Sequence, residues 1–157
     1  MVTILIADDE KLERNGIKLL LKREGAECEI LEAENGKVAL GILMEQKVDI
    51  LFSDIKMPYM NGLELTEKAR ELYPDLEIII FSGYNDFTYA RDALRYGVVD
   101  YVLKPVNPKE FHKTFERVQG KIQSRIEDKE KQTRQGDYLK KYFLQNYLYK
   151  GNNEDYQ

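Results

Sequence analysis

Chemically reactive side chains follow short apolar segments at four places in this 157-residue chain. Asp8 and Asp9 follow the first such segment, and Asp54 follows a later one. Ser82 and Lys104 stand at the ends of two more. Adjacent carboxylates repel one another unless a cation lies among them, and their hard oxygens suit Mg²⁺. Because an ammonium and a hydroxyl can bind phosphoryl oxygens, the set predicts phosphoryl transfer onto a carboxylate.

Five short apolar segments alternate with five amphipathic segments of helical period, which predicts repeated βα units. The predicted strands are Val2–Ala7, Cys28–Ala33, Val48–Ser53, Glu77–Ser82 and Val98–Leu103. The apolar face of the first helix is predicted to contain Leu12, Ile17, Leu20 and Leu21. Such repeats favour a parallel sheet with helices on both faces, where chemistry takes place beyond the carboxyl ends of the strands.

Each of these reactive residues also has a purely structural interpretation. Asp8 or Asp9 could cap the first helix, and Ser82 could cap the fourth. Asp54 could be a turn residue, and Lys104 a surface lysine. Taken singly, the structural interpretation is the better one at each position, but four chemically matched groups at four strand ends favour a functional site.

Composition excludes several classes of protein. The net charge of −4 argues against nucleic-acid contact by this chain. Cys28 is the only cysteine, so no internal disulfide can form. The apolar runs are too short to span a membrane, and we find no signal peptide pattern. We therefore expect a cytoplasmic protein without membrane contact.

Charge and composition change near residue 118. Residues 1–118 contain 16 Lys and Arg against 22 Asp and Glu, whereas residues 119–157 contain 8 against 6. We predict a first domain over 1–118, a helical linker or dimerisation extension over 119–150, and a disordered tail over 151–157. Gly136 and Asp137 predict a break within the extension, followed by a second amphipathic helix that docks on a partner or a second copy.

The first 118 residues resemble the receiver domain of bacterial two-component response regulators. The motifs are I-L-I-A-D-D-E at 4–10, D-I-K-M-P-Y-M-N-G-L-E-L at 54–65, I-I-F-S-G-Y at 79–84 and D-Y-V-L-K-P-V at 100–106. The resemblance implies a flavodoxin-like (βα)5 fold, a doubly wound parallel sheet of order 2-1-3-4-5, here with a C-terminal helical extension.

The resemblance also implies a role for each residue of the site. Asp54 would accept a phosphoryl group from a phosphohistidine of a sensor histidine kinase. Asp9 and Asp54, with the backbone carbonyl of Lys56, would bind Mg²⁺, and Asp8 would act directly or through water. Lys104 would pair with the phosphoryl group, and its peptide bond to Pro105 would be cis.

Ser82 would be the switch hydroxyl and Tyr101 the aromatic ring that moves with it. The affected surface would be the face of the fourth helix, the fifth strand and the fifth helix, and a homodimer would form through that face or through the C-terminal helices. In this family, positions like those of Lys56 and Tyr84 border the path of the attacking water. The bulk of both residues suggests a long phosphoryl lifetime, and the alternative is that both are plain exposed residues. Such a protein is a phosphoacceptor with its own phosphorylation and dephosphorylation chemistry, and not an enzyme acting on a separate substrate.

The segment Y-F-L-Q-N-Y-L-Y-K-G at 142–151 resembles the region after the receiver in regulators with an AraC-type DNA-binding domain. That resemblance implies control of transcription through an output domain that these residues do not include. Three alternatives remain: a phosphatase with an aspartyl-phosphate intermediate, a degenerate receiver that only binds partners, and a phosphorelay carrier. The adjacent Asp8 and Asp9 argue against the D-x-D pattern of the first, and the complete set of acids and lysine argues against the second.

Overall fold

The computed structural model describes residues 1–83 and 87–152, with side chains for 1–83 and 88–135. Strands and helices alternate along the described chain. The strands are β1 (Val2–Ala7), β2 (Cys28–Ala33), β3 (Ile50–Ser53), β4 (Glu77–Ser82) and β5 (Asp100–Leu103). The helices are α1 (Lys11–Arg23), α2 (Gly36–Glu45), α3 (Gly62–Leu72), α4 (Phe87–Arg95) and α5 (Pro108–Asn152).

The strands form one parallel sheet in the order β2-β1-β3-β4-β5. This confirms the predicted flavodoxin-like, doubly wound fold. The chain first moves outward from β1 to β2 and then crosses back to β3 on the other side of β1. The loops after β1 and β3 therefore diverge at this switch point, where such sheets form a crevice. Asp8, Asp9 and Asp54 all follow these two strands.

The central strands are apolar and buried along most of their length. Every residue of β3 and β4 is buried, as expected for strands covered by helices on both faces. Phe52, Phe81 and Phe111 pack together, with ring centroids 5.4 Å apart for the first two and 6.3 Å apart for the last two. This packing gives the strand ends a rigid base.

Two predicted strands begin later than expected. β3 begins at Ile50 and not at Val48, because the side chain of Asp49 takes part in the pairing with β1: its Oδ2 accepts a hydrogen bond from the Thr3 amide at 2.8 Å. β5 begins at Asp100 and not at Val98, since the preceding turn passes through Gly97 at φ 71°.

The predicted apolar face of α1 is wrong at one position. Leu12 is 79% exposed, whereas Ile17 and Leu21 are buried. Five residues at about 100° each place Leu12 roughly 140° around the helix from Ile17, outside the buried stripe.

The chain divides into two compact units, Met1–Val118 and Gln119–Gln157. The predicted break at Gly136 and Asp137 is wrong, because α5 runs without interruption to Asn152; one glycine in a long helix costs only about 1 kcal/mol. The structure describes 151 and 152 as the last residues of α5, and 153–157 lie outside the described residues, so the disordered tail over 151–157 stays a prediction. Roles of 119–150 as a linker or in dimerisation remain predictions. No described helix has the length and apolarity needed to cross a membrane.

A glycine at the start of α3 allows the loop after β3 to close tightly on Asp54. A Cβ at Gly62 would overlap the backbone carbonyl of Asp54, and the Gly62 amide donates to the Ile55 carbonyl at 2.7 Å. The Asn61 side chain caps α3 by accepting from the Glu64 amide at 2.9 Å. The start of α3 therefore fixes the main chain at Asp54.

We predict that Gly62→Ala lowers the free energy of unfolding by about 1–3 kcal/mol, because the added methyl group meets backbone atoms that cannot turn away. Gly41→Ala is the matched control in α2, where a Cβ meets nothing within 4 Å. This second change should raise stability by up to about 1 kcal/mol. Urea unfolding of both variants checks the pair, and equal stability of Gly62→Ala and wild type would refute the close-approach argument.

Candidate functional site

Three carboxylates meet at the switch point of the sheet. Asp8, Asp9 and Asp54 each offer one oxygen, and these oxygens all lie within 4.8 Å of one another. Asp8 is buried, Asp9 is exposed, and the Asp54 side chain retains 13% of its exposure. We call these three residues the acidic cluster. Its oxygen donors and their negative charge suit a hard divalent cation.

Hydrogen bonds fix both the main chain and the side chain of Asp8. Its amide donates to the Ala33 carbonyl at 3.0 Å, and its own carbonyl accepts from Arg14 Nη1 at 2.7 Å. Its Oδ1 accepts from the Glu10 amide at 3.0 Å and its Oδ2 from Lys104 Nζ at 2.7 Å. The N-cap of α1 is Glu10, so neither aspartate occupies the capping position that the structural alternative required.

Asp54 is fixed in a similar way at the end of β3. Its amide donates to the Ala7 carbonyl at 2.9 Å, which links it to the neighbouring strand β1. Its Oδ1 accepts from the Ile55 amide at 2.7 Å, and its Oδ2 accepts from Lys104 Nζ at 3.3 Å. The carboxylate plane is thus held at two points.

Lys104 bridges the acidic cluster from the end of β5. Its Nζ lies 2.7 Å from Asp8 Oδ2, 3.3 Å from Asp54 Oδ2 and 3.8 Å from Glu13 Oε2. Its amide donates to the Ser82 carbonyl at 2.8 Å, and its peptide bond to Pro105 is cis, as expected. With its side chain only 17% exposed, Lys104 is not the free surface lysine of the structural alternative.

Charge in the site is unbalanced toward the negative. Burial raises the pKa of Asp54, and the neighbouring charge of Asp8 raises it further, against the opposing effect of Lys104. Burial acts to lower the pKa of Lys104, but its hydrogen bond to Asp8 and the charge of Asp54 outweigh burial, so its pKa is raised. The ammonium therefore stays protonated, while the Asp54 carboxylate is destabilised until further positive charge arrives.

The remaining predicted residues occupy the rim and the neighbouring strands. Ser82 is fully buried as the last residue of β4, and Tyr101 is half-buried in β5 opposite Ile80. Lys56 is exposed in the loop after Asp54. Tyr84 lies outside the described residues. The structure therefore brings Ser82 beside the Lys104 backbone, and the switching and metal-binding roles of these residues remain predictions.

Sequence reasoning missed two residues of α1 that contact the site. Glu13 lies near Lys104, and Arg14 binds the Asp8 carbonyl. Both lie in the first turn of α1, just after the pair Asp8 and Asp9. The only signal in the sequence was therefore that charged residues follow the acidic pair closely. Charged residues there are common on solvated helix faces, and the pattern alone does not tell the two cases apart.

A groove continues from the acidic cluster between α1 and the loop after β5. It has a volume of about 760 Å³, and Asp54 and Lys104 are among its lining residues. Leu20 of α1 and Val106 of the loop are among its apolar lining residues, and Arg23 also lines it. A partner that reaches Asp54 could therefore make apolar contacts beside the charged centre.

Comparison with known proteins shows the same family throughout. Residues 4–116 match the family model described as the response regulator receiver domain. The transcriptional regulatory protein YesN of Bacillus subtilis is 30% identical over 152 residues, which is 94% of this chain and 41% of YesN. The sensory transduction protein LytT of the same organism is 31% identical, over 88% of this chain and 56% of LytT. The chain thus spans about half the length of these curated relatives.

Solved structures agree with the sequence relatives. The receiver domain of the response regulator AraT from Geobacillus stearothermophilus is 39% identical with a TM-score of 0.72, covering 80% of this chain and 98% of that one. A CheY-like receiver domain protein from Methanospirillum hungatei is 30% identical with a TM-score of 0.71, covering 79% and 98%.

We predict that Asp54→Asn stabilises the metal-free protein at pH 7.5. The folded state holds the Asp54 proton more tightly than the unfolded state, so stability falls as pH rises above the ordinary pKa of 3.8 and the carboxylate ionises. The variant avoids that loss. Its advantage in Tm should be present at pH 7.5 with EDTA and should narrow toward pH 4.5.

Asp92→Asn is the control, because Asp92 is an acid of α4 whose ion pair with Arg91 lies at the surface. It should change Tm little at either pH. A loss of stability in Asp54→Asn at pH 7.5, or a gain of equal size at both pH values, would contradict the description of the charge balance.

Proposed function

Because this chain belongs to the response regulator receiver domain family, whose general function is phosphorylation-dependent signalling, we propose that it is a switch controlled by phosphorylation of Asp54. The observation that carries the proposal is the bridging of Asp8 and Asp54 by Lys104 at 2.7 and 3.3 Å. A nucleophilic carboxylate, an adjacent fixed ammonium and a site for a cation are the components that phosphoryl transfer requires.

Mg²⁺ is the cation that we propose for the acidic cluster. Asp8, Asp9 and Asp54 would hold it, together with the backbone carbonyl of Lys56. The donor set supports this choice, since it consists of carboxylate oxygens within 4.8 Å of one another. When bound, Mg²⁺ neutralises the carboxylates and binds phosphoryl oxygens. Its charge would reverse the rise in the pKa of Asp54, so that Asp54 is ionised and ready to react.

The phosphoryl donor is a phosphohistidine of a sensor histidine kinase. A carboxylate oxygen of Asp54 attacks the phosphorus, the bond between phosphorus and the imidazole nitrogen breaks, and its electron pair stays on that nitrogen. The Ile55 amide holds the carboxylate plane during the attack. Lys104 is already 3.3 Å from Asp54 Oδ2 and would neutralise charge on the transferred group.

The kinase is proposed to occupy the groove between α1 and the loop after β5. Asp54 and Lys104 line this groove, so a protein seated in it could present its phosphohistidine to the acceptor. Its apolar lining residues allow the kinase to bury apolar surface, which the charged site alone does not offer. Such a partner explains why an apolar cavity adjoins an acidic centre.

The output is proposed to pass through Ser82 and Tyr101. An aspartyl phosphate adds strong acceptor oxygens, which draw the Ser82 hydroxyl and Lys104 toward it. Ser82 pairs with Leu103 across the β4–β5 register, and Tyr101 lies two residues before that partner. Movement at Ser82 would thus shift the Tyr101 ring and alter the face formed by α4, β5 and the part of α5 within residues 108–118.

A homodimer formed through that face, or through the C-terminal helix, is the proposed consequence. Regulation of transcription, which the name of the transcriptional regulatory protein YesN describes for that relative, is proposed for the whole regulator that contains this receiver. The chain itself is proposed to be cytoplasmic, to make no nucleic-acid contact, and to have no enzymatic activity on a separate substrate. Its chemistry is its own phosphorylation and dephosphorylation.

Intact-mass measurement after incubation with acetyl phosphate tests the proposal. Wild type should gain one phosphoryl group in the presence of Mg²⁺ and none with EDTA, because the cluster needs the cation to accept another anion. Asp54→Asn should gain none, and Asp92→Asn should behave as wild type. Size-exclusion chromatography of the same samples reports whether phosphorylation changes the oligomeric state.

Two results would overturn the proposal. Failure of wild type to gain a phosphoryl group with Mg²⁺ would favour a receiver that only binds partners. A phosphoryl group that persists in Asp54→Asn would show that the acceptor is another residue.

A further inference from the structure

We infer that Arg14 is a positioning residue of the acidic cluster, which orients Asp8 and Asp9 for the cation by holding the Asp8 carbonyl, and that Glu32 and Lys18 hold Arg14 in place. The inference rests on the proposed function, since it concerns cation binding by the cluster. It gives a role to three linked charged side chains, Arg14 and Lys18 of α1 and Glu32 of β2, which take no direct part in phosphoryl transfer.

The contacts of Arg14 join the site to the neighbouring strand. Its Nη1 donates to the Asp8 carbonyl at 2.7 Å, and its Nε donates to Glu32 Oε1 at 3.0 Å. The side chain is only 14% exposed. Because a guanidinium is planar and rigid, fixing one edge on Glu32 also fixes the direction of the nitrogen that binds Asp8.

Glu32 is held from its other oxygen by Lys18, with Nζ 2.6 Å from Oε2. The hydrogen bond from Lys18 has the largest effect on the pKa of Glu32 and lowers it against the opposing effect of burial, and the hydrogen bond from Arg14 lowers it further. Glu32 is therefore ionised at neutral pH and balances the charge of Arg14 outside the acidic cluster. Arg14 and Lys18 lie four residues apart on the same face of α1, so both can reach the same carboxylate.

The carbonyl that Arg14 binds belongs to the peptide plane that joins Asp8 to Asp9. The orientation of this plane sets the ψ angle of Asp8 and the φ angle of Asp9, and thus the direction of both side chains. The Asp8 amide is held by Ala33, and its carboxylate by Lys104 and the Glu10 amide. The Asp8 carbonyl itself is held by Arg14.

A purely structural role is the competing explanation, because the same contacts tie α1 to β2. The two explanations differ in what they predict for the affinity of the cluster. A structural tie affects the free energy of unfolding alone, whereas a positioning residue also changes the Kd for Mg²⁺. Residues that orient metal ligands commonly change metal affinity by about 10-fold or more when they are removed.

The experiment is a titration of the full chain with MgCl2, followed by the backbone amide shifts in two-dimensional NMR, with urea unfolding of the same proteins. Arg14→Met should raise the Kd for Mg²⁺ about 10-fold. Glu32→Gln should raise it less, because its amide oxygen can still accept from Arg14. Lys18→Met should raise it least of the three, since it removes only the outer ion pair that holds Glu32, and Asp92→Asn should leave the Kd unchanged.

Arg14→Lys provides the graded variant and replaces Arg14→Met if that protein does not fold. Lysine keeps the charge beside Glu32 but lacks two donors at a fixed spacing, so its Kd should lie between those of wild type and Arg14→Met. A Kd equal to that of wild type in each Arg14 variant that folds, with only a lower free energy of unfolding, would overturn the inference and leave the proposed function standing. Absence of Mg²⁺ binding in wild type would contradict the proposed function and the inference with it.

Discussion

Repulsion among three carboxylates is the constraint on which this site depends. Asp8, Asp9 and Asp54 place oxygens within 4.8 Å of one another, and the ammonium of Lys104 compensates only part of their charge. In the folded chain, burial of Asp54 raises the pKa of its carboxyl, and the charge of Asp8 raises it further. A site that is left short of positive charge is suited to bind a dication and, with it, a phosphoryl group. The uncompensated negative charge of the acidic cluster is therefore the basis of the proposed chemistry.

The parallel sheet supplies the rigidity that holds such groups together. β1 and β3 are adjacent and buried, so the residues that follow them have little freedom to separate. The close contact of Gly62 with the Asp54 carbonyl fixes one side of the crevice, and Arg14 with the Asp8 carbonyl fixes the other. In both cases the contact is made to the backbone of the aspartate, so its carboxylate is available for the chemistry of the site. Packing of the three phenylalanines beneath keeps the strand ends in register.

Much of this arrangement was predictable from the sequence, because local patterns determine it. Asp54 and Lys104 follow apolar segments, and the rule that parallel strands present their carboxyl ends together brings them into one site. Contacts across separate elements were not predictable in this way. Arg14 meets Glu32 only because α1 packs on β1, next to which β2 is paired, and a sequence pattern does not encode that contact. The break predicted at Gly136 failed for a different reason, since one weak helix former does not outweigh the helix formers around it.

The most direct test of the charge balance is the pKa of Asp54 itself, measured by ¹³C NMR of its carboxyl carbon with and without Mg²⁺. Our account predicts a pKa above the ordinary value of 3.8 in the metal-free protein and a clear fall when Mg²⁺ is added. A pKa at or below 3.8 without metal, with no response to Mg²⁺, would contradict it. Such a result would mean that Lys104 already balances the cluster and that no cation is required there.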